Sequence, residues 1–267
     1  MKLQPGLFCL IAIAISSCMW GKPTKQNPNV VKDTLTYKYT VFKERAADCG
    51  NKADSDCAVV VKFKYPEFKN QKTLNDTISN LLTTMFQVTD KQPKNMQELS
   101  KNLMADYDTL KKETHSGMFY SIDGSAKIVR QDSSLTTLEI AGYSFTGGAH
   151  PSSYTGFVNW NTKANKELEL KDLVNQADMP KVVAIAEAIF RKNEKLSDTS
   201  SLAVNYFFKD DKFALNDNFL VTPVGLRFFY NQYEIKPYAA GTTELIIPYA
   251  KIKSLLRPNT VITQYTK

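Results

Sequence analysis

Apolar and polar residues alternate along Leu35, Tyr37, Tyr39 and Val41, and again along Val61, Phe63 and Tyr65, where lysines fill the intervening positions. A period of two belongs to a strand with one face covered, so these runs predict a half-buried hairpin opening the folded body. The period then lengthens: Leu74, Ile78, Leu81, Leu82 and Met85 fall on one face of a helix. Asn95 followed three residues later by Glu98 has capping-box spacing and predicts a second helix, with Met96, Leu99, Leu103, Tyr107 and Leu110 as its buried stripe and an end near Gly117. Two longer strands are expected over 118–129 and 135–145, the second presenting Leu135, Thr137, Ala141, Tyr143 and Phe145 on one face. The hexapeptide TGGAHP (146–151) follows, then strand-like SYTGFVNW, the polar turn NTKANKE, and LELKDLV, a short strand passing into a helical turn. Asp178 and Pro180 start another helix, its apolar positions being Val182, Val183, Ile185, Ala186, Ile189 and Phe190; proline is well tolerated in a first turn. After a polar loop over 193–204, the last portion predicts a hairpin around Thr222 to Gly225, further strands and a short terminal helix. Strands and helices without regular βαβ alternation predict an α+β fold: antiparallel sheets packed with a few helices, in two intimately associated halves, 35–155 and 156–267.

The first residues follow another pattern. Lys2 precedes the apolar run Leu7 to Ile15, which is too short to span a bilayer and ends in Ile15-Ser16-Ser17-Cys18. Small residues directly before a cysteine resemble a bacterial lipobox. The expectation is a signal peptide over 1–17, acylation of Cys18, and a polar tether over 18–34 that carries two prolines and no acidic cluster. Each buried methylene adds about 0.8 kcal/mol, so several acyl chains would hold the protein to a membrane. The expected location is the bacterial cell envelope, lipid-anchored at the outer membrane and facing the periplasm. Cys9 leaves with the signal and Cys18 is capped, so Cys49 and Cys57, flanking the turn-rich GNKADSD, are expected to pair in an oxidising compartment. The formal charge of +7 favours anionic surfaces, but the basic residues are scattered and nucleic acid is not an expected partner.

Reactive groups are few. The chain has two histidines and lacks GxSxG, HExxH, P-loop and Rossmann glycine patterns, so no cofactor, no metal and no enzymatic activity are expected. His115 is expected in the last turn of the second helix, where a solvated cation suits the helix dipole. Asp210, Asp211 and Asp217 share a loop with lysines and lack calcium-loop spacing, which reads as solvated. Carboxylate pairs for glycoside hydrolysis cannot be located by spacing, and Glu139, Glu167 and Glu234 stay open. In TGGAHP, Gly147 and Gly148 tolerate positive φ, Pro151 fixes the exit, and His150 just beyond the bend either bonds a neighbouring loop or contacts a ligand. Tyr233, Glu234 and Tyr238 divide in the same way between packed core and binding cleft.

Several segments taken together resemble a known family: CAVVVKFKYP (57–66), Asn75-Asp76 opening the first helix, Tyr143-Ser144-Phe145 with GGAHP, LELKDL (168–173) and YEIKPYAAGTTELIIPY (233–249). The sequence is similar, from about residue 35 to 256, to an extracytoplasmic domain family known from the outer part of a lysozyme-sensing anti-sigma factor (RsiV) and the non-catalytic part of a peptidoglycan deacetylase (PdaC). The resemblance implies an α+β fold. In the sensing relative the domain binds lysozyme; the sigma-binding segment and transmembrane helix of that relative, and the catalytic domain of the deacetylase, are not expected here. What the resemblance implies for this chain is a tethered, non-enzymatic module binding a cell-wall glycan or a wall-degrading protein such as lysozyme. The surface near Tyr143, Gly147, Gly148, His150, Tyr233, Glu234 and Tyr238 would make the contacts. A carboxylate-dependent enzyme acting on peptidoglycan or glycan, and a structural partner of envelope proteins, are the alternatives.

Overall fold

The computed structural model describes residues 34–86, 92–114 and 119–266. Cys18, the signal peptide and tether through residue 33, and His115 lie outside the described residues. The first sheet has the order β1 (Tyr37–Arg45), β2 (Val59–Phe68), β3 (Tyr120–Gln131), β4 (Leu135–Thr146), β5 (Ser152–Asn161) and β6 (Lys166–Glu167). Its pairings are antiparallel except for β2 with β3, which run parallel. A parallel neighbour requires a long crossover, and here it contains α1 (Lys72–Thr84) and α2 (Met96–Thr114). The start of α2 is fixed by the expected cap: Asn95 Oδ1 accepts from the Glu98 amide at 2.8 Å, while the Glu98 carboxylate reaches one residue further back, to the Lys94 amide at 2.7 Å.

The two helices cover one face of the sheet, with Leu74, Ile78, Leu82, Leu99 and Leu103 packed on Val59, Val61, Phe63, Ile122, Leu138 and Ile140. That packing corrects two expectations. On β1 the face carrying Tyr37, Tyr39 and Val41 is the solvent face, and Phe42 turns inward to pack on Phe63 with ring centroids 6.0 Å apart. On β4 the helix face consists of Leu138, Ile140 and Gly142; the predicted face is covered at Leu135 and Thr137 but open at Tyr143. Alternation shows that two faces differ, and helices arriving from later in the chain decide which one is buried.

The second sheet is antiparallel, β7 (Phe219–Val221), β8 (Gly225–Tyr230) and β9 (Thr243–Pro248). With α3 (Leu170–Leu173), α4 (Met179–Asn193) and α5 (Tyr249–Ile252) it encloses a second core that includes Val182, Ala186, Phe190, Phe213, Phe228, Tyr230, Leu245 and Ile247. Pro180 occupies the first turn of α4, and Glu169 with Asp172 forms a capping box on α3.

Asparagine side chains join the two sheets. Because β6 pairs only with Trp160 and Asn161, most of the outer edge of β5 has no strand beside it. Unpaired backbone groups there would invite pairing with another chain or lose their hydrogen bonds when buried. Asn231 supplies both bonds to Thr155, accepting from its amide at 2.7 Å and donating to its carbonyl at 2.9 Å. Asn218 accepts from Phe157 N at 3.1 Å and donates to Thr155 O at 2.8 Å. From the β5 side, buried Asn159 donates to Phe219 O at 2.7 Å and accepts from Val221 N at 2.8 Å. At the other end of β4, Asp132 accepts from Ser134 N and Leu135 N, both at 2.9 Å, and from the Tyr265 hydroxyl at 3.0 Å, tying the C-terminal segment to the β3–β4 turn.

Cys49 and Cys57, both buried, form the expected disulfide across the β1–β2 connection, with a Cα separation of 5.1 Å. Among the described residues no helix is long and apolar enough to cross a membrane.

Candidate functional site

The TGGAHP turn connects β4 to β5, and only its first glycine needs to be one. Gly147 has φ of 80°, in the left-handed region that favours glycine. A Cβ added at Gly148 would meet only His150 O, at 3.9 Å. The turn delivers the exposed His150 ring onto Tyr238, with centroids 3.7 Å apart and planes 17° from parallel. His150 Nδ1 lies 3.1 Å from Pro151 O and Nε2 lies 3.2 Å from the Tyr233 hydroxyl. With Nδ1–H donating to the carbonyl, the other ring nitrogen, Nε2, faces the Tyr233 hydroxyl. Tyr238 donates its own hydroxyl to Pro151 O at 3.1 Å.

Both tyrosines come from the loop between β8 and β9. Tyr233 sits at φ 65°, an uncommon conformation for a tyrosine, and keeps 58% of its surface exposed. Its neighbour Glu234 holds the loop: one carboxylate oxygen accepts from Asn231 N at 2.7 Å and the other from Asn216 Nδ2 at 2.6 Å. The structure therefore brings His150, Tyr233 and Tyr238 together across more than eighty residues of sequence, as an aromatic platform exposed at His150 and Tyr233 and half-buried at Tyr238. Tyr143 stands apart on the open face of the first sheet, opposite Asp123 and Ser153 and 42% exposed.

Glu234 also borders a cleft of about 540 Å³ whose lining includes Tyr154, Phe157, Glu167, Asn216 and Asp217. Desolvation, and secondarily the charge of Glu169, push the Glu167 carboxyl above its ordinary range, although the side chain as a whole is exposed. Burial, and then the charge of Glu234, raise the Tyr154 phenol. Of the three acids that the sequence left open, Glu167 and Glu234 meet at this cleft and Glu139 does not, being paired across the sheet with Lys127 and Phe157. Asp217, expected to be simply solvated, is a third acid of the lining. Sequence reasoning passed over Tyr154, Asn216, Asn218 and Asn231; the spacing Asn216-Asp217-Asn218 just before β7 is the one trace they leave. Among the described residues no group of three or more His, Cys, Asp or Glu side chains could hold a metal ion. A larger hollow of about 740 Å³ lies at the start of β1 and α1, and both of its carboxylates are taken up by its own lysines, Lys38 with Glu67 at 3.2 Å and Lys72 with Asp76.

Two family models match successive segments: "Deacetylase PdaC" over 51–153 and "Protein of unknown function (DUF3298)" over 171–250. Curated relatives include the immunogenic protein MPB64 of Mycobacterium bovis and MPT64 of Mycobacterium tuberculosis, each 31% identical over 117 residues, or 43% of this chain and 49% of theirs. The chain thus spans about half the length of the curated relatives it matches. A DUF3298 family crystal structure from Bacteroides fragilis superposes with a TM-score of 0.64 at 22% identity, covering 86% of this chain and 97% of that one. Another, from Pseudomonas aeruginosa, gives 0.60 at 22% identity, covering 84% and 95%. At that identity the likeness is one of fold.

Proposed function

The chain belongs to the DUF3298/PdaC-type domain family, an uncharacterised extracytoplasmic family, and from that premise we propose that it is a non-enzymatic binding module of the bacterial cell envelope. It recognises a cell-wall glycan, or a wall-degrading protein such as lysozyme, through the platform of His150, Tyr233 and Tyr238. The observation that carries this reading is the stack of exposed His150 on half-buried Tyr238, held in place by hydrogen bonds to Pro151 O. Rigid, amphipathic rings with polar edges suit the apolar face and hydroxyl rim of a sugar, or an anchor residue of a protein partner. Acylation at Cys18 would confine the module to the membrane surface and leave the platform free.

The test is calorimetry and pulldown of the full-length chain with soluble peptidoglycan fragments and with lysozyme. One of the two is expected to bind saturably, and Tyr238→Ala to weaken it about two- to tenfold, the worth of a single ring contact. Absence of binding to both ligands would remove the proposal.

The alternative of carboxylate catalysis on glycan is favoured by one observation, the cleft that holds Glu167, raised above its usual range, beside Asp217 and Glu234. Incubation with purified sacculi decides between the two readings. Released sugar products that disappear in Glu167→Gln would support catalysis, and an unchanged sacculus would end it.

A further inference from the structure

The cleft between β5 and the 216–234 segment has an uneven supply of hydrogen-bonding groups. Both amide hydrogens of Asn216 are engaged, with Phe229 O at 2.8 Å and Glu234 Oε1 at 2.6 Å. Both of Asn218 are engaged as well, with Thr155 O at 2.8 Å and Phe229 O at 2.9 Å. Asn231 spends one hydrogen on Thr155 O at 2.9 Å. The amides that line the cleft therefore offer it almost no donors. Acceptors remain. Asn216 Oδ1 is buried without a hydrogen-bond partner, and an unsatisfied buried acceptor costs about 1–3 kcal/mol. The side-chain carboxylates of Glu167 and Asp217 have no hydrogen-bond or ion-pair partner among the described residues. Lys171, whose charge interacts with Asp217, is itself paired with Glu169 at 2.6 Å.

The floor is aromatic. Tyr154 lays its ring across Gly156, where an added Cβ would meet a ring carbon at 2.9 Å and the hydroxyl at 3.1 Å, so the absence of a side chain at 156 lets the ring lie close to the sheet. Leu81, Ile140 and Phe157 supply apolar walls. An acceptor-rich, donor-poor lining over a tyrosine face favours a cation with several N–H donors, because the carboxylates neutralise it and the ring attracts it.

We propose that this cleft binds a ligand bearing a protonated primary amine on a compact, partly apolar body, such as an amino sugar without its acetyl group. The site is separate from the His150 platform and does not depend on the reading given to it. Its volume, about 540 Å³, is that of a small-molecule site.

Three probes test the proposal by calorimetry on the full-length chain at neutral pH: a glucosamine tetramer, the same tetramer fully N-acetylated, and spermidine. The two tetramers share a backbone and differ in the ammonium groups. Glucosamine tetramer is expected to bind at least tenfold more tightly than the acetylated form. Glu167→Gln with Asp217→Asn, both near-isosteric, is expected to remove most of that preference, while Tyr39→Ala, on the solvent face of β1, leaves it unchanged. Spermidine separates the sources of the amine: binding as tight as the tetramer's assigns the site to amines at large, and weaker binding assigns it to amino sugars. Equal or tighter binding of the acetylated tetramer, binding unaffected by the double variant, or no binding of either amine would overturn the proposal. Loss of tetramer binding in the platform variant Tyr238→Ala, with the Glu167 and Asp217 double variant unaffected, would place the ligand on the platform and overturn this proposal; failure of the platform to bind peptidoglycan fragments or lysozyme would count against the first reading alone.

Discussion

Asn159→Ala puts the joint between the two sheets to a quantitative test. The Asn159 amide is 2% exposed and makes two hydrogen bonds to β7, at 2.7 and 2.8 Å, whose partners lie in Phe219 and Val221, residues that are 3% and 2% exposed. Truncation leaves a carbonyl and an N–H buried and unpaired, at about 1–3 kcal/mol each, so a total loss of about 2–6 kcal/mol is expected. In urea, with a denaturant dependence of about 2–3 kcal/mol per molar, the unfolding midpoint should fall by about 0.7–3 M at unchanged slope. Asn159→Asp provides the control. It keeps an acceptor for Val221 N but turns a carboxylate towards the Phe219 carbonyl, and should be at least as damaging at neutral pH although its volume is nearly conserved. Because Asn218 and Asn231 stitch the same edge, and Asn231 begins the loop that carries Tyr233 and Tyr238, ligand affinity should fall along with stability. A loss below about 0.5 kcal/mol for Asn159→Ala would refute the claim that amide side chains hold the sheets together.

Three further outcomes follow from named contacts. Removing the disulfide by Cys49→Ala with Cys57→Ala should cost about 2.5 kcal/mol by loop-closure entropy for a sequence separation of eight, read as a lower melting temperature with ligand binding retained. Burial pushes the Asp132 carboxyl upward, but the amides of Ser134 and Leu135 and the hydroxyls of Tyr265 and Ser134 together bring it below the ordinary aspartate range. Its folded pKa is therefore depressed: the stabilisation is complete above the unfolded value of about 3.9 and is lost as pH falls through the folded one, so Asp132→Asn should flatten the acid limb of a stability–pH curve. Gly225→Ala would set a Cβ 2.3 Å from the backbone oxygen of Ile247, a neighbour that cannot swing aside, and should reduce soluble yield or the melting temperature more than Gly148→Ala, where the space is open.

The legible part of this fold is the part governed by short spacing. Asn95 with Glu98, Pro180 at the start of α4, the turn at Thr222 to Gly225 and the Cys49–Cys57 pair each involve residues near in sequence, and each is present. What escaped depends on distant partners. Nothing in the alternation of β1 says that Phe42, and not Tyr39, meets the helices, because those helices begin some thirty residues later. The parallel β2–β3 pair follows from the crossover that α1 and α2 occupy, a property of topology more than of pattern. The candidate site divides along the same line. The motif around His150 marked one side of the platform and the tyrosine-rich C-terminal stretch marked the other, but their contact spans 83 residues. The cleft draws on α1, β4, β5, β6 and two loops, and its asparagines look like ordinary turn residues until the open edge of β5 gives them a purpose.

Recognition by the aromatic platform is the central claim, and the ring resonances of His150, Tyr233 and Tyr238 test it most directly. Soluble peptidoglycan fragments, and separately lysozyme, would be titrated into the full-length chain while those signals are followed by NMR. The account expects one of the two ligands to shift all three rings saturably, with Tyr238→Ala weakening the response at the other two. Signals that stay in place through both titrations, or shifts confined to other parts of the molecule, would contradict it.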